Sequence, residues 1–365
     1  MEACITPRIA ISVIEDISRT NGTTVRARGI IKILRKQYKI LIIERAASTD
    51  SRFLASSKIN KNEILFIGPR GTKLWSLKLI TTLVRNRFNC VYCVADMFGF
   101  VTYFLLSRLF KYKVIFEAHA LAYKEIRQVS KVGAIFYLFL ETFIGKNADA
   151  VIALSGVAFR FYNRLNGNVF FVPVFVDDQL FRSGIVKQRK KMKKVVGLVG
   201  PFDIVPNKYQ LDFLYSNLDR FDERIRFKII GKCDRRLSDG RIEYAGYVGS
   251  TELYLRILRQ LDALMVPAKI ATFGPKNKIL EAMACGVPTF TTPEGIVGLD
   301  FARPNENIFV FENDDLVTKV NENLFNENSL EKIRANARET VKRSYSKRTL
   351  KAKILQVLKG TLRDA

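Results

Sequence analysis

The feature that most constrains this chain is an alternation of short unbroken apolar runs with amphipathic stretches, repeated from end to end. "RIAISVIED", "YKILIIE", "EILFIG", "CVYCVA", "YKVIFEAH", "DAVIALS" and "VFFVPV" are the runs of the first half. Between the first two lies "TTVRARGIIKILRKQ", whose apolar residues recur at helical spacing. Val/Ile/Phe runs that do not alternate with polar residues belong to strands covered on both faces, hence to a parallel sheet. A parallel sheet fed by strand–helix–strand repeats is a doubly wound α/β domain. The pattern restarts after the basic run "KQRKKMKK", with "KVVGLVG", "RFKIIG", "IEYAGYV", "DALMVPA", "PTFTT" and "IFVFEN". The predicted organisation is a first domain over residues 1–182, a basic linker over 183–194 and a second domain over 195–345. A basic helix over 346–365 is expected to pack back toward the first domain. In open parallel sheets ligands bind beyond the carboxyl ends of the strands. Two Rossmann-like parallel-sheet domains facing across a cleft would therefore carry their functional residues just after each strand.

Charge narrows the choice of partner. Of the net +25, +14 precedes residue 187, +6 sits in 187–194 and +5 follows. Such a surface attracts nucleic acid, anionic lipid headgroups or phosphorylated substrates. Nucleic acid is set aside, because no binding motif is present and the basic residues are not interleaved with aromatics on one element. An anionic membrane surface stays open. Its candidate docking segment is "YKEIRQVSKVGAIFYLFLETF"; the plain alternative is a buried helix whose basic start faces water. "FGFVTYFLLSRLF" and "VGAIFYLFLETFIG" fall short of the roughly 18 apolar residues of a spanning helix, and read as buried core helices. The five cysteines lack framework spacing. The one Cys-x-x-Cys, Cys90 and Cys93, lies in a strand-like run with no second pair or nearby histidine to complete a metal site. Reduced thiols point to the cytosol, and no signal peptide is evident at the start.

The densest constellation is "GPKNKILEAMACGVPTFTTPEGIVGL", residues 274–299. Gly274 and Pro275 open a helix after the strand "DALMVPA", with Pro275 suited to its first position. Free N–H groups of a first turn form an anion site, to which Lys276 and Lys278 add charge. Glu281, one turn on, suits the two adjacent hydroxyls of a ribose. Gly286 is placed to end the helix in a left-handed turn, and Pro288 prevents its continuation. Thr291 and Thr292 close the next strand. The stretch reads as a nucleoside-diphosphate site; the plain alternative is a surface helix with solvated lysines.

"NKILEAMACGVPTFTTPEGIVGL" resembles the signature segment of GT-B glycosyltransferases, most closely glycosyltransferase family 4 (group 1). Other segments agree in order: "NGTTVRARGIIKILRKQYKILII", "KVIFEAHAL", "ADAVIALSGVAFRFY", "VPVFVDDQLF", "VGLVGPFDIVPNKYQLDFL" and "FKIIGK". The resemblance implies retaining transfer of a sugar from a nucleotide-sugar donor to a glycan or lipid-linked acceptor, without a cofactor or an essential metal. The lack of any Asp-x-Asp and the single histidine agree with the last point. Carried over by position, Glu281 would bind the ribose, and backbone from Gly274 through Pro275 to Lys276 the pyrophosphate. Tyr247 and Val248 would flank the base, and Thr292 and Glu294 would border the donor. Lys208, following Gly200, would neutralise the leaving diphosphate, which is electrostatic catalysis. His119 matches the histidine that contacts donor, with Glu117 placed to orient it; the bland reading of a lone histidine is a satisfied buried residue. Gly22 would allow close backbone approach to ligand. Asn21, Thr23 and Arg26 would line the acceptor side, Arg26 against an anionic group; read plainly, Gly22 is a turn residue and Thr23 or Thr24 an N-cap.

Two positions depart from the pattern. Pro201 stands where the family often has arginine, and Phe273 where it often has glutamate. A subset with "DIVPN" and "GPKNKILEAMA" assigns the arginine's role to Lys269 and Lys278. The expectation is a cytoplasmic hexosyltransferase, peripheral on the inner membrane face. The competing readings are a non-catalytic transferase-like subunit bound to a partner enzyme, and a nucleotide-sugar epimerase.

Overall fold

Seven strands build the first sheet: β1 (Arg8–Val13), β2 (Lys39–Glu44), β3 (Ile64–Phe66), β4 (Cys90–Val94), β5 (Lys113–Ala118), β6 (Ala150–Ala153) and β7 (Val169–Phe171). They lie in the order β3-β2-β1-β4-β5-β6-β7, every neighbouring pair parallel. The computed structural model describes residues 7–18, 22–44, 50, 59–67, 77–181 and 192–363. β4 and β6 are buried along their whole length, as unbroken apolar runs require. Cys90 and Cys93 are therefore core side chains of β4, and burial pushes the Cys90 thiol upward.

The second sheet has six strands: β8 (Lys194–Val199), β9 (Ile225–Ile230), β10 (Ile242–Gly246), β11 (Ala263–Val266), β12 (Thr289–Thr291) and β13 (Phe309–Val310). Their order is β10-β9-β8-β11-β12-β13, again all parallel. Its core packs Leu198, Leu214, Phe227, Met265 and Phe290 with residues of the helix Asn313–Leu324. In both sheets the winding direction reverses beside the first strand, between β1 and β4 and between β8 and β11. That reversal is the topological switch point at which such sheets bind ligands.

The chain divides into two units, residues 1–173 with 350–365, and residues 174–349. Most of the 183–194 run lies outside the described residues. Its last member, Lys194, is not linker: it is buried at the start of β8, where its ammonium meets Glu327 and stands 4.0 Å from Asp262. A cation that finds a buried carboxylate can start a strand, which a count of basic residues does not show.

The expectation of two buried core helices is corrected. The helices Met97–Phe110 and Lys131–Asn147 each expose large apolar side chains, among them Leu109, Val132, Ile135 and Phe139. Among the described residues no helix is long and apolar enough to cross a membrane.

Candidate functional site

At the carboxyl edge of the first sheet, one buried carboxylate gathers the expected residues. Glu117 lies near the end of β5 and is fully buried. Arg26, on the helix Gly22–Leu34, donates to both its oxygens, Nε at 3.2 Å and Nη2 to Oε2 at 2.9 Å. Tyr92 on β4 donates its hydroxyl to Oε2 at 2.6 Å, and His119 Nε2 lies 2.8 Å from Oε1. Burial pushes the Glu117 carboxyl up, but Arg26 and the His119 hydrogen bond outweigh it and hold it down at about 2. An ionised carboxylate only accepts, so His119 carries its hydrogen on Nε2.

Arg26 is thus buried against Glu117, with Nη1 3.3 Å from the Pro173 carbonyl, and is not offered to an anionic ligand. The reason is electrostatic: with both groups buried, the carboxylate and the guanidinium each need the other to offset the loss of water. His119 is mostly buried, and its Nδ1 makes a long 3.5 Å contact to the Thr23 hydroxyl. The N-cap expected at Thr23 or Thr24 is not found, since the helix already runs from Gly22, which is exposed, and Thr24 is buried within it. Asn21 lies outside the described residues. Tyr92 is the member that sequence reasoning passed over; its place in an apolar strand run disguised it as core.

The second sheet's carboxyl edge holds the other group. The helix Asn277–Ala284 starts two residues after Pro275, with Lys276 as its extended N-cap and no side-chain cap on its first turn. Pro275 is therefore outside the helix, not at its first position. Lys276 is held extended because its ammonium reaches the carbonyls of Thr272, Glu294 and Val297, at 3.4, 3.3 and 3.0 Å. It ties the loop before the helix to the turn after β12, a structural use of a charge expected at phosphate. At the far end Gly286, with φ +73°, makes the expected left-handed stop. Its N–H reaches Met283 O, and that of Val287 reaches Ala282 O at 2.8 Å, a Schellman motif.

Lys278 is half-buried, and its ammonium meets the Val199 carbonyl and Asn207 Oδ1, the latter at 2.7 Å. Burial, aided by Lys276 and opposed by Glu281, lowers it to about 7. Glu281 is half-buried and accepts from the Tyr254 hydroxyl at 2.8 Å. Burial raises it to about 7 against that bond and Lys278. Helix, β8 exit and the helix Val205–Asn217 are therefore joined through one ammonium. Asn207, next to the expected Lys208, is the residue that holds Lys278; the "DIVPN" segment contained it. Lys208 and Lys269 are exposed, and no hydrogen bond or ion pair of their side chains is found among the described residues.

Gly200 follows β8 and closely faces Gly231, whose φ is +131°; a β-carbon on Gly231 would sit 1.7 Å from the Gly200 carbonyl oxygen. Pro201 caps the exit by accepting from Asn207 Nδ2 at 3.1 Å. Gly274 is approached by Gly298, where a β-carbon would lie 2.5 Å from its carbonyl oxygen. Tyr247 is exposed and Val248 half-buried just beyond β10. Thr292 is buried, and its hydroxyl both accepts from Ala268 N and donates to Ala268 O, so it fastens the β11 exit. Glu294 is half-buried with Oε2 buried and unpartnered. A concavity lined by Ile31, Arg35, Tyr38, Lys39 and Glu63 lies at the amino ends of the first sheet, the edge opposite the one at which such sheets bind ligands.

Residues 193–325 match the family model described as "Glycosyl transferases group 1". No curated protein matches the chain. Among solved structures, HepE of Anabaena in complex with UDP and glucose is similar at 16% identity, with TM-score 0.76 over 97% of this chain and 100% of that one. Sucrose-phosphate synthase of Thermosynechococcus elongatus is similar at 15% identity, TM-score 0.78, over 98% and 100%. A glycosyltransferase of Rickettsia africae is similar at 15% identity, TM-score 0.72, over 99% and 100%. The fold is the GT-B architecture of two Rossmann-like parallel-sheet domains.

Proposed function

We propose that this protein is a retaining, metal-independent glycosyltransferase that moves a hexose from a nucleoside-diphosphate donor to a glycan or lipid-linked saccharide. The observation that carries the reading is the uncapped first turn of Asn277–Ala284 with Lys278 and Glu281 on the same short helix. The match of residues 193–325 to group 1 glycosyl transferases, and the UDP and UDP-glucose bound by HepE, support it.

In this reading the backbone of the first turn holds the pyrophosphate, and Glu281 accepts hydrogen bonds from the ribose hydroxyls. Tyr254 keeps one Glu281 oxygen oriented. Lys278, with the exposed Lys208 and Lys269, stabilises negative charge as the diphosphate departs. Tyr247 and Val248 flank the base. His119, fixed by the ionised Glu117, orients the transferred sugar. Thr292 and Lys276 act by holding the loops that shape the site.

The test is calorimetric binding of UDP, GDP and ADP to the purified chain and to Glu281→Ala. One diphosphate, UDP first among them, is expected to bind, and the variant to bind it at least about tenfold more weakly, since a hydrogen bond to a charged group is worth about 1.5–3 kcal/mol. Binding of none of the three would refute the donor-site reading and favour the non-catalytic subunit that Pro201 and Phe273 suggest. Consumption of donor without any acceptor would favour the epimerase.

A further inference from the structure

The helix Lys131–Asn147 is built inside out. Its buried face carries Ala134, Leu140, Glu141, Ile144 and Gly145, three of them small or charged. Its outer stripe is Val132, Ile135, Phe136 and Phe139, spaced every third or fourth residue on one side. Val132 is 80% exposed, Ile135 70% and Phe139 73%. An aqueous surface selects the opposite arrangement. The helix Met97–Phe110 runs beside it, with Phe98 stacked on Phe136 at 6.3 Å and Phe104 edge-on to Phe143 at 5.3 Å. It adds exposed Phe98, Leu105, Leu109 and Phe110 to the same face. Contiguous apolar surface on this scale marks a contact with lipid or protein.

We infer that this two-helix face inserts into the interfacial region of an anionic lipid bilayer. Charge decides between lipid and a second copy of the chain. The face is rimmed by exposed Arg108, Lys111, Arg127, Lys131 and Lys146. The two helices contain one acid, Glu141, and it is buried, accepting from the main-chain N–H of Ala122 and Tyr123. Face-to-face pairing of two copies would oppose like charges with no exposed carboxylate on either helix, and only the half-buried Glu125 on the adjoining helix Ala122–Arg127, to receive them. An anionic headgroup layer satisfies the basic rim while its acyl boundary takes the apolar stripe. The inference stands apart from the transferase reading, since neither helix bears a residue assigned to donor binding.

The test is flotation of the purified full chain with vesicles of equal parts phosphatidylglycerol and phosphatidylcholine, and with phosphatidylcholine alone. The chain is expected to float with the anionic vesicles and to remain partly bound in high salt, because apolar insertion is not screened. The double substitution Ile135→Ser with Phe139→Ser is expected to lower partition at least about tenfold while leaving the circular dichroism, melting temperature and UDP binding unchanged. Arg127→Glu with Lys131→Glu is expected to abolish the preference for anionic vesicles. A wild-type chain that stays with neither vesicle, or a serine variant that floats as well as wild type, overturns the inference. So does a dimer in sedimentation equilibrium that the serine variant dissociates, which would make a second copy the occupant. A chain that floats without binding any diphosphate would leave this inference standing and refute the donor site alone.

Discussion

Substitution of Glu117 by glutamine perturbs the most concentrated electrostatic arrangement in the first unit. The carboxylate is fully buried and receives Arg26, Tyr92 and His119. Its carboxyl is held at about 2 against an ordinary 4.5, a difference worth on the order of 3 kcal/mol of folding stability at neutral pH. Because the folded value is depressed, that stability is present above the unfolded value and is lost as pH falls from about 4.5 toward about 2. A neutral amide in place of the carboxylate would leave Arg26 as an uncompensated buried cation, which typically costs about 3–5 kcal/mol. For a unit of this size the melting temperature is expected to fall by about 6–20 °C. Thermal and urea unfolding of wild type and E117Q at pH 7, and of wild type from pH 6 down to 3, measure it. The E117Q/R26M double variant removes both charges and is expected to recover more than half of the loss. A loss below about 1 kcal/mol at pH 7 would refute the account of a strongly coupled buried pair, as would a double variant no more stable than E117Q.

Two further outcomes follow from the second unit. Lys278 sits near neutrality at about 7, so a bound diphosphate is expected to draw a proton onto it. Calorimetry of UDP binding at pH 7.5 in two buffers of different ionisation enthalpy is expected to show a proton uptake that is smaller in Lys278→Met, what remains being that of Glu281, also near 7; a proton exchange unchanged in Lys278→Met would refute this placement of the phosphates. Gly231→Ala must force a β-carbon into the Gly200 carbonyl and is expected to cost more than about 3 kcal/mol, whereas Gly240→Ala, which meets nothing within 4 Å, is expected to melt close to wild type.

Much of the architecture was legible because parallel sheets write themselves as unbroken apolar runs. The strands β1 through β13 all fall where such runs were read. The Schellman stop at Gly286 was also legible, since only a residue without a β-carbon takes a positive φ there at no steric cost. The helix start was not: Pro275 can open a helix, but Lys276 is drawn out of it by three carbonyls, two of them distant in sequence.

Charged residues were the least legible, because a sequence shows that a charge exists and not what it faces. Arg26 and Lys276 read as ligand contacts and are engaged within the fold; Lys194 read as linker and begins a strand. Tyr92 and Tyr254 gave no signal, and Asn207 only as the last residue of "DIVPN", since each acts through a partner on another element. The helices Met97–Phe110 and Lys131–Asn147 show the same limit for apolar residues, whose composition suits a core and whose positions face outward.

The sequence by itself thus determined the two parallel-sheet domains and the carboxyl-edge positions of the candidate residues, because periodicity and turn chemistry are local. Which of those side chains remain available to a ligand, and which apolar stripe stays uncovered, only the tertiary structure decided. Those properties depend on neighbours brought together from distant parts of the chain, and burial and pairing energies exist only once they meet.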